Sequence, residues 1–258
     1  MASGPAPSDP PARPAAPRAR LEAVRRRIAA AARAAGRDPA GITLVAVGKG
    51  HPPAALAALA AAGQRHFGES YLQEALPKLE ALEAALAEAS GEGPPPVWHF
   101  VGALQANKTR AVAARFHWVH AVDRLRIARR LSEQRPEGLP PLQLCLQVQV
   151  VPEPQKAGVP PEEALRLAPE LARLPRLRLR GLMTLPPASP DPAHQRAHFR
   201  ALRELWEELR RRGLPLDSLS MGMSGDLEAA VAEGATLVRV GTALFGPRPP
   251  RQGAPRSP

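Results

Sequence analysis

The sequence predicts an α/β fold, a single TIM (β/α)8 barrel. Three observations lead there. Eight short strand patterns occur in the 258 residues, and each of the first seven is followed by a helical pattern. Such alternation implies a parallel sheet with right-handed crossovers. The 228 residues between two Pro-rich ends suit eight such units. The alternative is an open doubly wound sheet. No G-x-G-x-x-G follows the first strand, so its dinucleotide-binding version loses support.

The elements follow in order. A first helix is expected over about residues 19–36. Ile42 to Val47 reads as a short buried strand, and an Ala/Leu helix follows over about 52–62. A strand at Arg65 to Gly68 precedes a long helix over about 70–89. Val97 to Val101 is strand-like, with a helix from about 104. His117 to Val122 reads the same way, with Asp123 as the expected N-cap of the next helix. Leu142 to Val151 is a long strand, with a helix from about 160. Leu177 to Met183 is a strand, with a helix over about 193–212. Leu216 to Met221 is a strand, with a helix from about 225, and Thr236 to Val240 is the last strand.

Residues 1–18 hold six prolines and residues 247–258 hold five. Stretches of that composition bury too little surface to order themselves, so both are expected as disordered tails around a barrel at 19–246. Hydrophobic residues make up 44% of the chain, enough for a core. No apolar run approaches the ~18 residues of a membrane span. The Pro/Ala-rich amino terminus has no apolar signal-peptide core. The one cysteine, Cys145, can form neither an internal disulfide nor a cysteine-based zinc site. A cytoplasmic setting is expected, with no metal.

The net charge is +11. Residues 1–37 and 173–212 each contribute +6, in mostly helical patterns read as solvated faces. A basic surface can attract nucleic acid. The aromatic content of 3% and the lack of an RNP, zinc-finger or Gly-Arg pattern argue against a dedicated binder. A sharper detail is that 31 of the 35 basic residues are Arg. The four lysines are Lys49, Lys78, Lys108 and Lys156. A lysine can lose its proton and attack a carbonyl, whereas an arginine stays protonated. Lys78, on a helix face, is read as chance retention.

Barrel chemistry sits where strands end and βα loops begin. Strand one ends at Gly48-Lys49-Gly50, with Lys49 on the face of Val47, Val45 and Thr43. Arg239 on strand eight shares its face with Leu237 and Gly241. On strand five Leu142, Leu144, Leu146, Val148 and Val150 should pack on helices. Gln143, Cys145, Gln147 and Gln149 should face the barrel, where buried amides require partners. A ligand or an internal polar network would supply them. Barrels often bind phosphate after strands seven and eight, with loop N–H groups and a helix N-terminus. Here those loops carry Gly222-Met223-Ser224-Gly225 and Gly241-Thr242. An amine beside a phosphate grip suggests a phosphorylated carbonyl compound held as a Schiff base. A sugar phosphate and pyridoxal phosphate both fit.

These segments carry a resemblance. Val45-Ala46-Val47-Gly48-Lys49, Phe67 to Glu74, Trp98-His99-Phe100-Val101-Gly102 and Leu104 to Lys108 resemble the pyridoxal phosphate homeostasis protein family. So do Gly181-Leu182-Met183, Ser220-Met221-Gly222-Met223-Ser224 and Val238 to Thr242, in order across about residues 20–247. The resemblance implies the fold of the alanine racemase N-terminal barrel, without that enzyme's second β-domain. It implies pyridoxal 5′-phosphate as cofactor, held by Lys49. It implies Ser224, Gly241 and Thr242 as phosphate contacts, with Ser220 and Met223 in the same motif. It places Arg239 at the pyridine nitrogen, His99 and Met183 on the pocket wall, and Lys156 as a second nearby lysine. Ser70 stands where the family usually has Asn, and Gly48 where it usually has Ser or Thr. Both departures bear on cofactor affinity.

The implied function is buffering or carriage of the cofactor in intracellular vitamin B6 homeostasis, without robust catalysis. PLP-dependent apo-enzymes are the candidate recipients, and a monomer is expected. The alternative is a PLP-dependent enzyme acting on amino acids, racemase-like. Racemases of this fold need a tyrosine from the β-domain. The single tyrosine, Tyr71, is read here as a helix-packing residue.

Overall fold

A computed structural model describes residues 16–88, 94–153 and 157–248. Eight parallel strands close into a barrel in sequence order, with β1 paired to β8. The strands are β1 Thr43–Val47, β2 His66–Glu69, β3 Val97–Phe100, β4 Trp118–Val122, β5 Leu142–Gln147, β6 Leu177–Met183, β7 Ser218–Ser220 and β8 Leu237–Val240. The helices are α1 Pro17–Ala34, α2 Pro53–Ala61, α3 Leu72–Glu88, α4 Thr109–Arg115, α5 Leu125–Gln134, α6 Pro161–Ala172, α7 Pro192–Arg211, α8 Leu227–Ala232 and α9 Thr242–Phe245. Expectation and structure agree on all eight strands and on the order of the elements.

Several boundaries move, each for a local reason. The N-terminal stretch expected as a tail loses its last residues to α1, which starts at Pro17. Proline suits the first helical position, where no N–H bond is lost. Residues 1–15 and 249–258, the rest of both expected tails, lie outside the described residues. Asp123 is not the N-cap of α5. Arg124 occupies that position, extended at φ −160°, and its side chain makes no capping bond. Strand β5 stops at Gln147, because the next residues pair sideways. Val148 bridges Val159, and the Gln149 N–H donates to the Val159 carbonyl at 2.9 Å.

The main core lies between barrel and helices, where Leu142, Leu144, Leu146 and Val148 meet α6 and its neighbours. The opposite face of β5 points inward. Cys145 packs there with Ala121 and Met183, all nearly or fully buried. The alternation read from β5 therefore holds. Gln147 and Gln149 find their partners in the chain itself. Their amides donate to the carbonyls of Ala157 (2.7 Å) and Glu153 (3.2 Å).

The charged helices are bonded as well as solvated, which corrects the expectation for them. Arg196, Arg200 and Arg203 of α7 converge on Glu233, which is 3% exposed at the end of α8. Arg27 pairs with Glu228 at 2.7 Å, and Arg37 donates to the carbonyls of Val231 and Ala235. These contacts fasten α1 and α7 to α8, the helix under the β7 loop.

Candidate functional site: a cationic cavity at the barrel mouth

Closure of the barrel sets the site. The register aligns Val45 with Arg239 and Ala46 with Val240, so the ends of β1 and β8 lie side by side. The loop carrying Lys49 thus sits beside the loop carrying Gly241 and Thr242. A cavity of about 380 Å3 opens there. That lies in the ~300–1,000 Å3 range of small-molecule sites. Its wall includes Lys49, Ser70, Met223, Ser224, Gly225, Arg239, Gly241 and Thr242. Among the described residues three cations line it (Lys49, Arg239 and Arg248), and no carboxylate does.

Arg239 is 4% exposed and lies at the cavity floor. Burial lowers its pKa to about 10, still well above neutral, so it stays a cation. It donates to Ser220 Oγ and to the Thr184 carbonyl (2.9 Å). The loop after β7 turns at Gly222, with φ +92°. A Cβ there would stand 2.5 Å from that of Ala230, so glycine is required on both counts. Ser224 Oγ accepts from the Ala243 N–H at 3.3 Å and ties the two anion-facing loops together. The N–H groups of Ser224, Gly225 and Thr242 have no acceptor among the described residues.

A second cavity, about 740 Å3, adjoins the first, and Lys49, Ser70, Val101 and Leu185 line both. Tyr71, Asn107, Lys108 and Gln147 line its far side. Tyr71 is 46% exposed, and the Lys49 ammonium lies 4.5 Å from its ring centroid. Helix packing is thus not its role, contrary to the sequence expectation. It stands beside the lysine.

His99, Met183 and Ser220 are fully buried and lie beneath the cavity. None of the three is among the residues that line it. Met183 belongs to the interior cluster with Cys145. Lys156 lies outside the described residues.

Lys78 is the main correction. It is 5% exposed, and its ammonium donates to Glu69 Oε1 and to the Gly48 carbonyl, both at 2.9 Å. Glu74 accepts from the Gly50 N–H at 3.0 Å and lies 3.7 Å from Lys78. This trio therefore holds both glycines flanking Lys49. Gly48 is explained by the same contact, since a Cβ there would stand 2.7 Å from Glu69 Oε1. Burial raises the Glu69 pKa to about 7 against the pull of Lys78. Its Oε2 has no hydrogen-bond partner among the described residues. Arg248 was also missed, because its Pro-rich surroundings read as tail. His66 and His120 were missed too. With His99 they occupy three consecutive strands, a pattern that the period-two rule could have exposed.

A closed (β/α)8 barrel with Lys49, Arg239 and Arg248 lining one cavity at its mouth defines a class: parallel barrels with a cationic site where the strands end. Comparison with known proteins narrows it. The model of the alanine racemase N-terminal domain matches residues 19–249. The pyridoxal phosphate homeostasis protein of Pseudomonas aeruginosa is 56% identical over 231 residues, 90% of this chain and 94% of that one. The Escherichia coli protein of the same name is 46% identical over 228 residues, 88% of this chain and 95% of that one. PipY of Synechococcus elongatus, in a structure with PLP bound, aligns with a TM-score of 0.73 at 38% identity. That alignment covers 89% of this chain and all of PipY. The chain belongs to the pyridoxal phosphate homeostasis protein family.

Proposed function

We propose that the protein binds pyridoxal 5′-phosphate in the mouth cavity, joined to Lys49 as a Schiff base, and buffers or carries it in vitamin B6 homeostasis. The supporting observation is the convergence of Lys49, Arg239 and Arg248 on a wall that has no carboxylate among the described residues. Each of these three cations attracts a dianionic ligand placed there. Bound in the cavity, the cofactor supplies an aldehyde that couples to amines and a ring that accepts electrons.

The residues have separable tasks. Ser224, Gly225 and Thr242 offer unpaired N–H groups to the phosphate, and Gly241 lets it approach closely. Glu69, Lys78 and Glu74 hold the Lys49 loop from behind. Arg239 can only donate, so a ring nitrogen facing it accepts and carries no proton. That weakens the ring as an electron sink, which suits a carrier. Ser70 reaches the cavity with a shorter side chain than Asn would. The carrier acts in the cytoplasm as a monomer and passes the cofactor to apo-enzymes. Among the described residues no helix is long and apolar enough to cross a membrane.

The absorbance spectrum with added pyridoxal phosphate tests the reading. A yellow, borohydride-reducible band is expected in wild type and should vanish in Lys49→Ala. A wild type that stays colourless overturns it. A second reading, a racemase-like enzyme on amino acids, draws on the closeness of Tyr71 to Lys49. Exchange of the α-proton of amino acids at ordinary enzymatic rates would favour that reading over the carrier.

A further inference from the structure

The barrel interior holds a row of polar side chains that the cofactor reading leaves unused. His66 Nδ1 lies 2.9 Å from His99 Nε2, and His99 Nδ1 lies 2.9 Å from His120 Nε2. His120 Nδ1 lies 2.7 Å from Ser220 Oγ, which also accepts from Arg239. The row crosses the barrel. Its lower end, His66, lines a cavity of about 410 Å3 at the floor, beside Arg25 and Gln64. Its upper end, Arg239, lines the cavity at the mouth. His99, His120 and Ser220 are all 0% exposed.

A neutral imidazole has one donor and one acceptor nitrogen, so a row of them must run one way. Burial holds both His99 and His120 well below the usual histidine pKa, and both are neutral. Arg239 cannot accept, so Ser220 Oγ accepts from it. The hydroxyl proton then goes to His120 Nδ1, its remaining partner among the described residues. The reverse arrangement makes Ser220 accept twice and strands its proton in a dry interior.

We propose that Arg239 sets the direction of this row, and that His66, His99 and His120 are positioning residues that hold Arg239 beneath the mouth cavity. In this direction His120 Nε2–H donates to His99 Nδ1, and His99 Nε2–H donates to His66 Nδ1. All three histidines carry their proton on Nε2. The floor of the barrel is thereby coupled to the group that faces the ligand.

The first test needs no cofactor. Long-range proton–nitrogen NMR of the full chain, labelled at histidine, reads each tautomer. Nε2–H is expected at His66, His99 and His120. An Nδ1–H tautomer at any of the three overturns the direction. His66→Leu removes the last acceptor without touching the mouth, and His66→Gln restores one. A single Nε2–H tautomer at His99 is expected in both variants, because Arg239 sets the direction from the other end of the row. Mixed tautomers at His99 in His66→Leu overturn that claim.

A second arm rests on the cofactor reading and uses pyridoxal phosphate as probe. His66→Leu should shift the absorbance maximum of the bound band, and His66→Gln should return it. An unmoved band in His66→Leu overturns the claim that the row positions Arg239. A wild type with no band fails the cofactor reading alone and leaves the tautomer result to decide the row.

Discussion

Lys49 and Lys78 show how one residue type takes opposite roles around a single loop, Lys49 on it and Lys78 of α3 behind it. Lys49 is part-exposed between two cavities. Lys78 is buried and fully engaged with Glu69 and the Gly48 carbonyl. Removing one partner of a buried pair leaves the other uncompensated. Lys78→Met should therefore lower stability by ~3 kcal/mol at pH 8, read by urea denaturation. The double variant Lys78→Met/Glu69→Gln should recover part of that loss, since it leaves only the half-exposed Glu74 charged there. It should still bind pyridoxal phosphate more weakly than wild type, because the Gly48 carbonyl keeps only the His51 N–H as donor. Full recovery of binding would separate the pair from Lys49. The scarcity of lysine in the sequence marked Lys49, whereas Lys78 read as chance retention on a helix face. Their roles differ because Glu69 meets Lys78 only once β2 and α3 have folded against each other. Cys145 is inert by comparison. Burial raises its thiol pKa to about 12, so it presents no thiolate at neutral pH.

Among the elements, the β7–α8 unit carries the most constraint. Gly222 combines a positive φ with a Cβ position already filled by Ala230. Gly222→Ala should cost on the order of 3 kcal/mol, seen as a lower urea midpoint. Adding Ala230→Gly should return the steric part and leave the conformational part. At the far end of α8, Glu233 gathers three arginines of α7. Glu233→Ala should lower stability by about 2 kcal/mol and Glu233→Gln by less, since Gln keeps an acceptor. Thermal melting of the two variants checks the order. Strand and helix positions were readable from hydrophobic period alone. Glu233 was not, because its partners lie 30 to 37 residues away on a helix that looked simply solvated.

Over the whole molecule, two buried sets of titrating groups oppose each other. The Glu69 pKa rises from 4.5 to about 7 on folding. The folded state then holds more protons than the unfolded chain between those values, so this group's contribution falls as pH rises from 4.5 to 7. The pKa values of His99 and His120 fall well below 6.5, and their contribution is lost as pH drops below 6.5. Glu69→Gln should remove only the first slope. Between pH 4.5 and 7 its stability should climb more steeply with pH than that of wild type, in denaturation curves at stepped pH. A parallel pair of curves would mean that Glu69 is ionised throughout.

The sequence by itself determined the barrel, its strand order, the inward alternation of β5 and the family. Each of these is written in local periodicity or in contiguous motifs. It also named Lys49, Arg239 and the two glycine-bearing loops, because a parallel barrel puts strand ends at one mouth. Only the tertiary structure decided what lies behind those residues. It seated Lys78 under the lysine loop, returned Arg248 to the cavity, and stood Tyr71 beside Lys49. It also placed His99 in an internal row. These contacts join elements distant in sequence and depend on which faces the closed sheet buries. Periodicity says that a face is inward. It does not say which groups from other strands meet it there.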